Sequence, residues 1–248
     1  MAMATRTIVF AGLLAAMFGA PARGDEAGKG PWEKIRDEDG IAVQRRKVEG
    51  SNLAEFQGRG LVHAPLARVL AVLIDADRRT EWMHKCIGSA LLEQVDDHHQ
   101  LTWNKTKGSP ASDRDVVLRA EMAFDASDKK VAITFTSTED PRRPPTKDAV
   151  RMPFLRGHWH LWPQGPGDTF VEYQVHANPG GWLPAWLANL VSKKLPLNTL
   201  RGLREQVVRR QYPELEAKLA AMPEWPTVFP SATASAAPTS VAAPAPAH

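Results

Sequence analysis

Two imidazoles stand two residues apart in His158-Trp159-His160. On a strand that spacing puts both side chains on one face, as two ligands of one metal ion would need. A third donor would have to come from His176, His84 or a carboxylate, and no spacing in the chain dictates which. Paired histidines more commonly serve as polar groups facing solvent or a pocket, so neither a metal nor any other cofactor is expected. Asp113, Arg114, Glu172 and His176 are the other polar groups suited to share a cavity and support acid–base chemistry. Arg114 and Asp115 more simply brace a strand entry as an ion pair. Cys86 is the only cysteine, so no intramolecular disulfide can form, and it reads as a small buried apolar residue. No catalytic motif emerges. The chain reads as a non-enzyme.

Chemistry of another kind is written in Asn178-Pro179-Gly180-Gly181-Trp182-Leu183-Pro184-Ala185-Trp186-Leu187 and the apolar-periodic run that follows to about Leu219. The glycines relieve φ constraints where the chain turns. Pro184 opens a helix at a position where a missing N–H costs nothing. A large aromatic on a Gly-Gly hinge, beside the longest amphipathic stretch, implies a flap over something apolar. Lys193-Lys194, and Arg142-Arg143 with Lys147, are basic groups that near Trp182 would suit reversible contact with anionic headgroups.

Both ends separate from the body. Met1 to Arg6 is a short basic start, Ile8 to Ala20 is too short to span a bilayer comfortably, and Ala22-Arg23-Gly24 supplies small residues. Residues 1–24 therefore read as a secretory signal peptide cut near Gly24, and the mature chain is expected in the periplasm. Its removal deletes Arg6 and Arg23 and no acid, taking the formal net charge from +3 to +1. Such a balance argues against nucleic-acid binding. Residues 222–248 are rich in Pro, Ala, Ser and Thr and read as a disordered tail. The folded body is then residues 30–221, and a monomer is expected.

Elements must position these groups. Trp32-Glu33-Lys34-Ile35 reads as a short amphipathic helical turn after Pro31, Ile41 to Val48 as a strand, and Asn52 to His63 as another. Pro65 opens a helix whose Leu66, Val69, Leu70 and Leu73 share one face, and Asp77 to Trp82 forms a second short helix. Ala90 to Val95 and Gln100 to Lys107 form a hairpin. Asp115 to Asp125, Lys130 to Ser137, Ala149 to Pro163 and Thr169 to Ala177 follow as strands, with Trp103, Trp159 and Trp162 as core residues. The last helix runs to Leu219, kinked at Pro196. The class is α+β, an antiparallel sheet with helices on one face.

Four segments, in order, resemble the START family of lipid-transfer domains: Gly40-Ile41-Ala42-Val43 with Arg45, Asp75 to Trp82, Pro110 to Val117, and Asn178 to Val191. The likeness spans Pro31 to Leu219. It implies a helix-grip fold, in which a curved antiparallel sheet wraps a long C-terminal helix around a hydrophobic tunnel. Such a tunnel holds one sterol, phospholipid or similar molecule, and the loop before the last helix gates it. The resemblance also implies an alternative, a cyclase- or hydrolase-like enzyme on the same scaffold. The tunnel would be lined from the strands by Val116, Leu118 and Met122, by Ile133 and Phe135, and by Trp159 and Tyr173. From the hinge and helix it would be lined by Trp182 and Trp186, then Leu187, Leu190 and Val191. Trp182, Lys193, Lys194, Arg142 and Arg143 would meet the membrane. Leu101-Thr102-Trp103 carries none of the charge that steroidogenic members place inside, so the resemblance does not select a sterol.

Overall fold

The computed structural model describes residues 28–108, 111–182, 184, 189 and 193–229. The expected signal peptide, Trp186, Leu187, Leu190, Val191 and the part of the expected tail from residue 230 lie outside the described residues. Ten strands form one sheet: β1 (Glu33–Glu38), β2 (Ile41–Arg46), β3 (Glu55–Val62), β4 (Cys86–Gln94), β5 (His99–Thr106), β6 (Arg114–Asp125), β7 (Lys130–Thr138), β8 (Val150–Arg151), β9 (Phe154–Pro163) and β10 (Thr169–Asn178). Their spatial order is β1-β2-β3-β10-β9-β7-β6-β5-β4. Every pairing along that path is antiparallel; only β8 runs parallel, beside the start of β6. Three α-helices are described, α1 (Leu66–Ile74), α2 (Leu195–Arg209) and α3 (Pro213–Ala220).

Burial follows the periods in the sequence. In β6, Val116, Leu118, Ala120 and Met122 are buried while Arg119, Glu121 and Ala123 are exposed, as a period of two requires. In α1, Leu66, Val69, Leu70 and Leu73 are all buried, as a period near 3.6 requires. The helix packs on α2 and α3, and Arg68 Nε reaches Glu216 Oε1 of α3 at 3.1 Å. α2 seals the core with Leu197, Leu200, Leu203 and Val207.

Five local expectations are corrected. Trp32 to Ile35 is not helical, because Glu33–Glu38 pairs with β2 and Glu33 grips Arg45 at 2.9 Å. The free edge of β2 supplied backbone partners that outweigh a weak local preference. The segment from Ala149 to Pro163 splits into β8 and β9, with Pro153, which has no N–H to give a ladder, in the gap. Pro196 does not kink a helix: it sits in the first turn of α2, where its missing N–H is harmless. A break at 210–212 separates α2 from α3, since Pro213 pushes Tyr212 out of helical backbone, to φ −130° and ψ 62°. Finally, residues 222–229 belong to the packed body rather than to a tail. A 3₁₀ turn at Trp225–Val228 buries Val228 completely and sets Trp225 edge-on to Phe124.

Candidate functional site

A cavity of about 210 Å³ lies between the inner face of the sheet and the start of α2. A single water needs about 10–15 Å³ by the same measure, so the interior has room for far more than trapped solvent. Its wall takes Phe56 from β3, Tyr173 from β10, Trp159 from β9, Ile133 from β7, Val116 from β6 and Asn104 from β5. Six neighbouring strands about 4.8 Å apart span roughly 24 Å. They converge on one cavity because the sheet is curved.

The wall is mostly apolar. Leu118 and Phe135 join Val116 and Ile133 on it. Trp159 and Tyr173 stack with ring centroids 4.1 Å apart and planes 18° from parallel, and Trp82 meets Trp159 edge-on at 6.2 Å. Leu195 and Thr199 of α2 close the opposite side. Met122, expected on the wall, is buried in the core beyond it. β6 outlasts the cavity, so its fourth inward residue packs against protein.

One end of the cavity is polar. Arg79 comes from a 3₁₀ turn, Ala76–Glu81, between α1 and β4. Its Nη1 donates to Thr102 Oγ1 at 3.0 Å and Asn104 Oδ1 at 3.2 Å, and its Nη2 reaches the Leu73 carbonyl at 3.5 Å. Only 8% of its surface is exposed, and among the described residues no carboxylate pairs with it. Burial pushes its pKa below the usual guanidinium value, and the same burial pushes the Tyr173 phenol well up. An arginine hydrogen-bonded only by neutral acceptors leaves its charge uncompensated. His84 also faces this space, and burial lowers its pKa, with the nearby lysines adding to the effect.

The hinge borders the cavity. Gly180 and Gly181 have φ of +66° and +69°, the left-handed region that glycine enters without penalty. Pro179 lines the cavity, and its carbonyl accepts from Arg114 Nε at 3.3 Å. Trp182 is 88% exposed. Asn189 ties the chain after the hinge to the loop before β3: its Oδ1 accepts from Ala54 N at 2.9 Å and its Nδ2 donates to Asn52 O at 3.2 Å. Lys194 is exposed and Lys193 partly so.

Several expected polar groups stand elsewhere. Glu172 and His176 face away from the cavity, because in β10 it is Tyr173, Val175 and Ala177 that point inward. His176 packs edge-on under Phe154 at 5.2 Å. Asp113 Oδ1 accepts from Gly108 N at 3.1 Å. Arg114 lines the cavity but does not pair with Asp115; Arg151 takes that acid, Nη2 to Oδ2 at 2.8 Å, and Trp103 Nε1 donates to it at 2.9 Å. Trp103 and Trp162 are accordingly on the outer face and not in the core. Arg142 and Arg143 do not offer free charge to a membrane. Arg142 is paired with Asp140 at 2.6 Å and Glu93 at 2.8 Å, and its hydrogen bonds hold the Asp140 pKa at about 2. The Arg143 guanidinium sits 4.5 Å over the Trp103 ring. Cys86 is free and buried, and burial raises its pKa.

Arg79, Thr102 and Asn104 are absent from the sequence-derived site. The one signal was the doublet Arg78-Arg79 on a short turn, where adjacent residues face different directions. One of them had to point toward the protein, but nothing local said which. Arg78 points out, to Asp75 and Glu81 at 3.4 and 2.9 Å.

Comparison with known proteins matches residues 23–214 to the START domain family. A crystal structure of a STAR-related lipid transfer protein fragment from Xanthomonas axonopodis is 35% identical, covers 72% of this chain and 99% of its own, and superposes with a TM-score of 0.66. An uncharacterised protein of Pseudomonas aeruginosa is 34% identical over 180 residues, 72% of this chain and 88% of its own. The bovine phosphatidylcholine transfer protein is 24% identical over 175 residues, 69% of this chain and 82% of its own.

Proposed function

Because this chain belongs to the START domain family, we propose that it encloses one lipid molecule in the cavity and carries it between membranes without making or breaking bonds. Moving a sixteen-carbon acyl chain through water costs about 13 kcal/mol at about 0.8 kcal/mol per CH₂. An apolar sleeve removes most of that barrier, and its wall needs only the aromatic and aliphatic side chains already placed there.

The observation that carries the reading is a buried cation, Arg79, at one end of a largely apolar cavity. Arg79 has neutral acceptors and, among the described residues, no carboxylate paired with it. A ligand with an apolar body and a phosphate would supply the counter-charge through charge-assisted bonds, which a planar guanidinium makes best. The bovine relative is a phosphatidylcholine transfer protein, which agrees with a phosphate-bearing lipid. Native mass spectrometry of the purified chain tests this directly. One phospholipid per chain is the expected result. An empty cavity in a protein that turns over an aromatic polyketide or an ester would replace the carrier with an enzyme.

The hinge before α2 is the gate in this reading, and Trp182 its membrane-facing residue. Aromatic rings of this type settle at the membrane–water interface, and Lys193 and Lys194 add attraction to anionic headgroups. Trp182→Ala is expected to slow lipid transfer between liposomes about tenfold, equivalent to roughly 1.4 kcal/mol. Its unfolding free energy should stay within about 0.5 kcal/mol of the parent, as for other exposed positions. A mutant that melts early yet transfers lipid normally would make Trp182 a packing residue and end the gate model. The reading also includes export. Protein recovered from a periplasmic extract should have an intact mass matching cleavage near Gly24, whereas recovery of uncleaved chain from the cytoplasm alone would refute it.

A further inference from the structure

On the outer face of the sheet, opposite the cavity, three side chains converge that lipid carriage leaves unused. His158 and His160 project from β9 on the same side, and Glu172 projects from β10 directly opposite His160 in the ladder. His158 Nε2 lies 3.1 Å from Glu172 Oε1 and His160 Nδ1 lies 3.3 Å from it. All three donor atoms fall within 4.8 Å of one another. The two imidazoles stack, with centroids 3.8 Å apart and planes 15° from parallel, so a ring must turn about its Cβ–Cγ bond to bring both in-plane lone pairs onto one ion. We propose that His158, His160 and Glu172 form a binding site for a zinc(II) ion that fastens β9 to β10 behind the cavity wall.

The spacing suits that ion. Zinc bonds of about 2.0–2.1 Å at a tetrahedral angle place ligand atoms roughly 3.4 Å apart. The two separations from Glu172 Oε1 are within a few tenths of an ångström of that value. The cation bonds Nε2 of His158 and Nδ1 of His160, displacing any hydrogen those atoms direct at Oε1. Each imidazole then carries its proton on the other ring nitrogen, Nδ1 of His158 and Nε2 of His160, and remains a neutral ligand. Two nitrogens and one carboxylate oxygen are a zinc donor set, with the fourth position left to water. Calcium and magnesium, which take oxygen ligands, are poorly served.

The surroundings support the same assignment. Arg59 Nε lies 3.1 Å from the second carboxylate oxygen, Oε2, and so turns Oε1 toward the histidines. Outer partners that hold a ligating carboxylate in one orientation tune a metal site. The Arg59 side chain is 42% exposed, and its guanidinium lies 5.4 Å over the Phe170 ring. Trp159 and Tyr173, which alternate with these residues, are the stacked pair in the cavity wall. A zinc ion would therefore brace the strands on which that wall is built.

The test uses the full-length chain without an affinity tag, stripped with EDTA and titrated with zinc sulfate by calorimetry, with cobalt(II) as a spectroscopic substitute. One zinc per chain is expected, together with the visible absorption of tetrahedral cobalt. Glu172→Gln and His160→Gln should each weaken zinc binding by about a hundredfold or more, beyond the 10–100-fold typical of an outer partner. His99→Gln, which alters a surface histidine paired with Asp96, should leave binding unchanged. The parent titration decides the matter even if a variant fails to fold. Absence of stoichiometric zinc overturns the proposal, as does zinc binding that survives both site variants or is lost with His99.

Discussion

Replacing Arg79 by methionine is expected to lower the affinity for a phosphate-bearing lipid about a hundredfold while shifting the melting temperature by only a few degrees. Two charge-assisted hydrogen bonds from the guanidinium to a phosphate contribute about 1.5 kcal/mol each at the lower end of their range. Their loss corresponds to roughly two orders of magnitude in Kd. Stability responds less because opposing effects offset. The substitution removes a buried cation with no carboxylate paired to it among the described residues, which is often neutral or favourable when the replacement fills the same space. It also leaves Thr102 and Asn104 without their donor, but both line the cavity, where water can replace it. Arg79→Lys should fall between, since lysine keeps the charge and loses the planar fork. Binding of fluorescent phospholipid and of an uncharged sterol analogue, measured side by side, separates the outcomes. Equal loss of both ligands would mean a damaged cavity, and unchanged phospholipid binding would remove Arg79 from the site.

Gly202→Ala is expected to destabilise the fold by about 3 kcal/mol, the upper part of the range for overpacking. For a chain of this size that is a fall of roughly 6–12 °C in Tm. Helix propensity alone argues the opposite, since alanine inside a helix is favoured over glycine by about 1 kcal/mol. The sign of the measured change therefore decides between local and tertiary control. A Cβ on Gly202 would lie 2.0 Å from the Trp82 carbonyl oxygen and 3.0 Å from its carbon, and both are backbone atoms that no rotamer change can move aside. Relief would require α2 to lift away from the turn that carries Arg79 three residues earlier. Lipid affinity should drop along with stability. Urea unfolding monitored by tryptophan fluorescence gives the answer, and a variant at least as stable as the parent would show that α2 can shift at little cost.

Periodicity and backbone chemistry left a clear record in this chain. Alternation in β6, β7, β9 and β10 marked the side on which Val116, Leu118, Ile133, Phe135, Trp159 and Tyr173 lie, because a strand's period of two leaves no freedom once one face is apolar. The α1 stripe and the positive φ at Gly180 and Gly181 were legible for the same reason, each resting on the geometry of a single residue or a single turn. Contacts between distant segments left no such record. Glu33 to Glu38 became a strand because β2 had an edge to fill. Pro196 and Pro213 became helix starts because breaks fall just ahead of them. Arg142 was neutralised by Glu93, 49 positions away, and Asp115 was taken by Arg151 from its neighbour Arg114. The inward turn of Arg79 and the meeting of Glu172 with His158 and His160 depend on how the turn packs and which strands pair. Pairing register is a property of two segments together, and one-dimensional spacing carries no information about it until the sheet has closed.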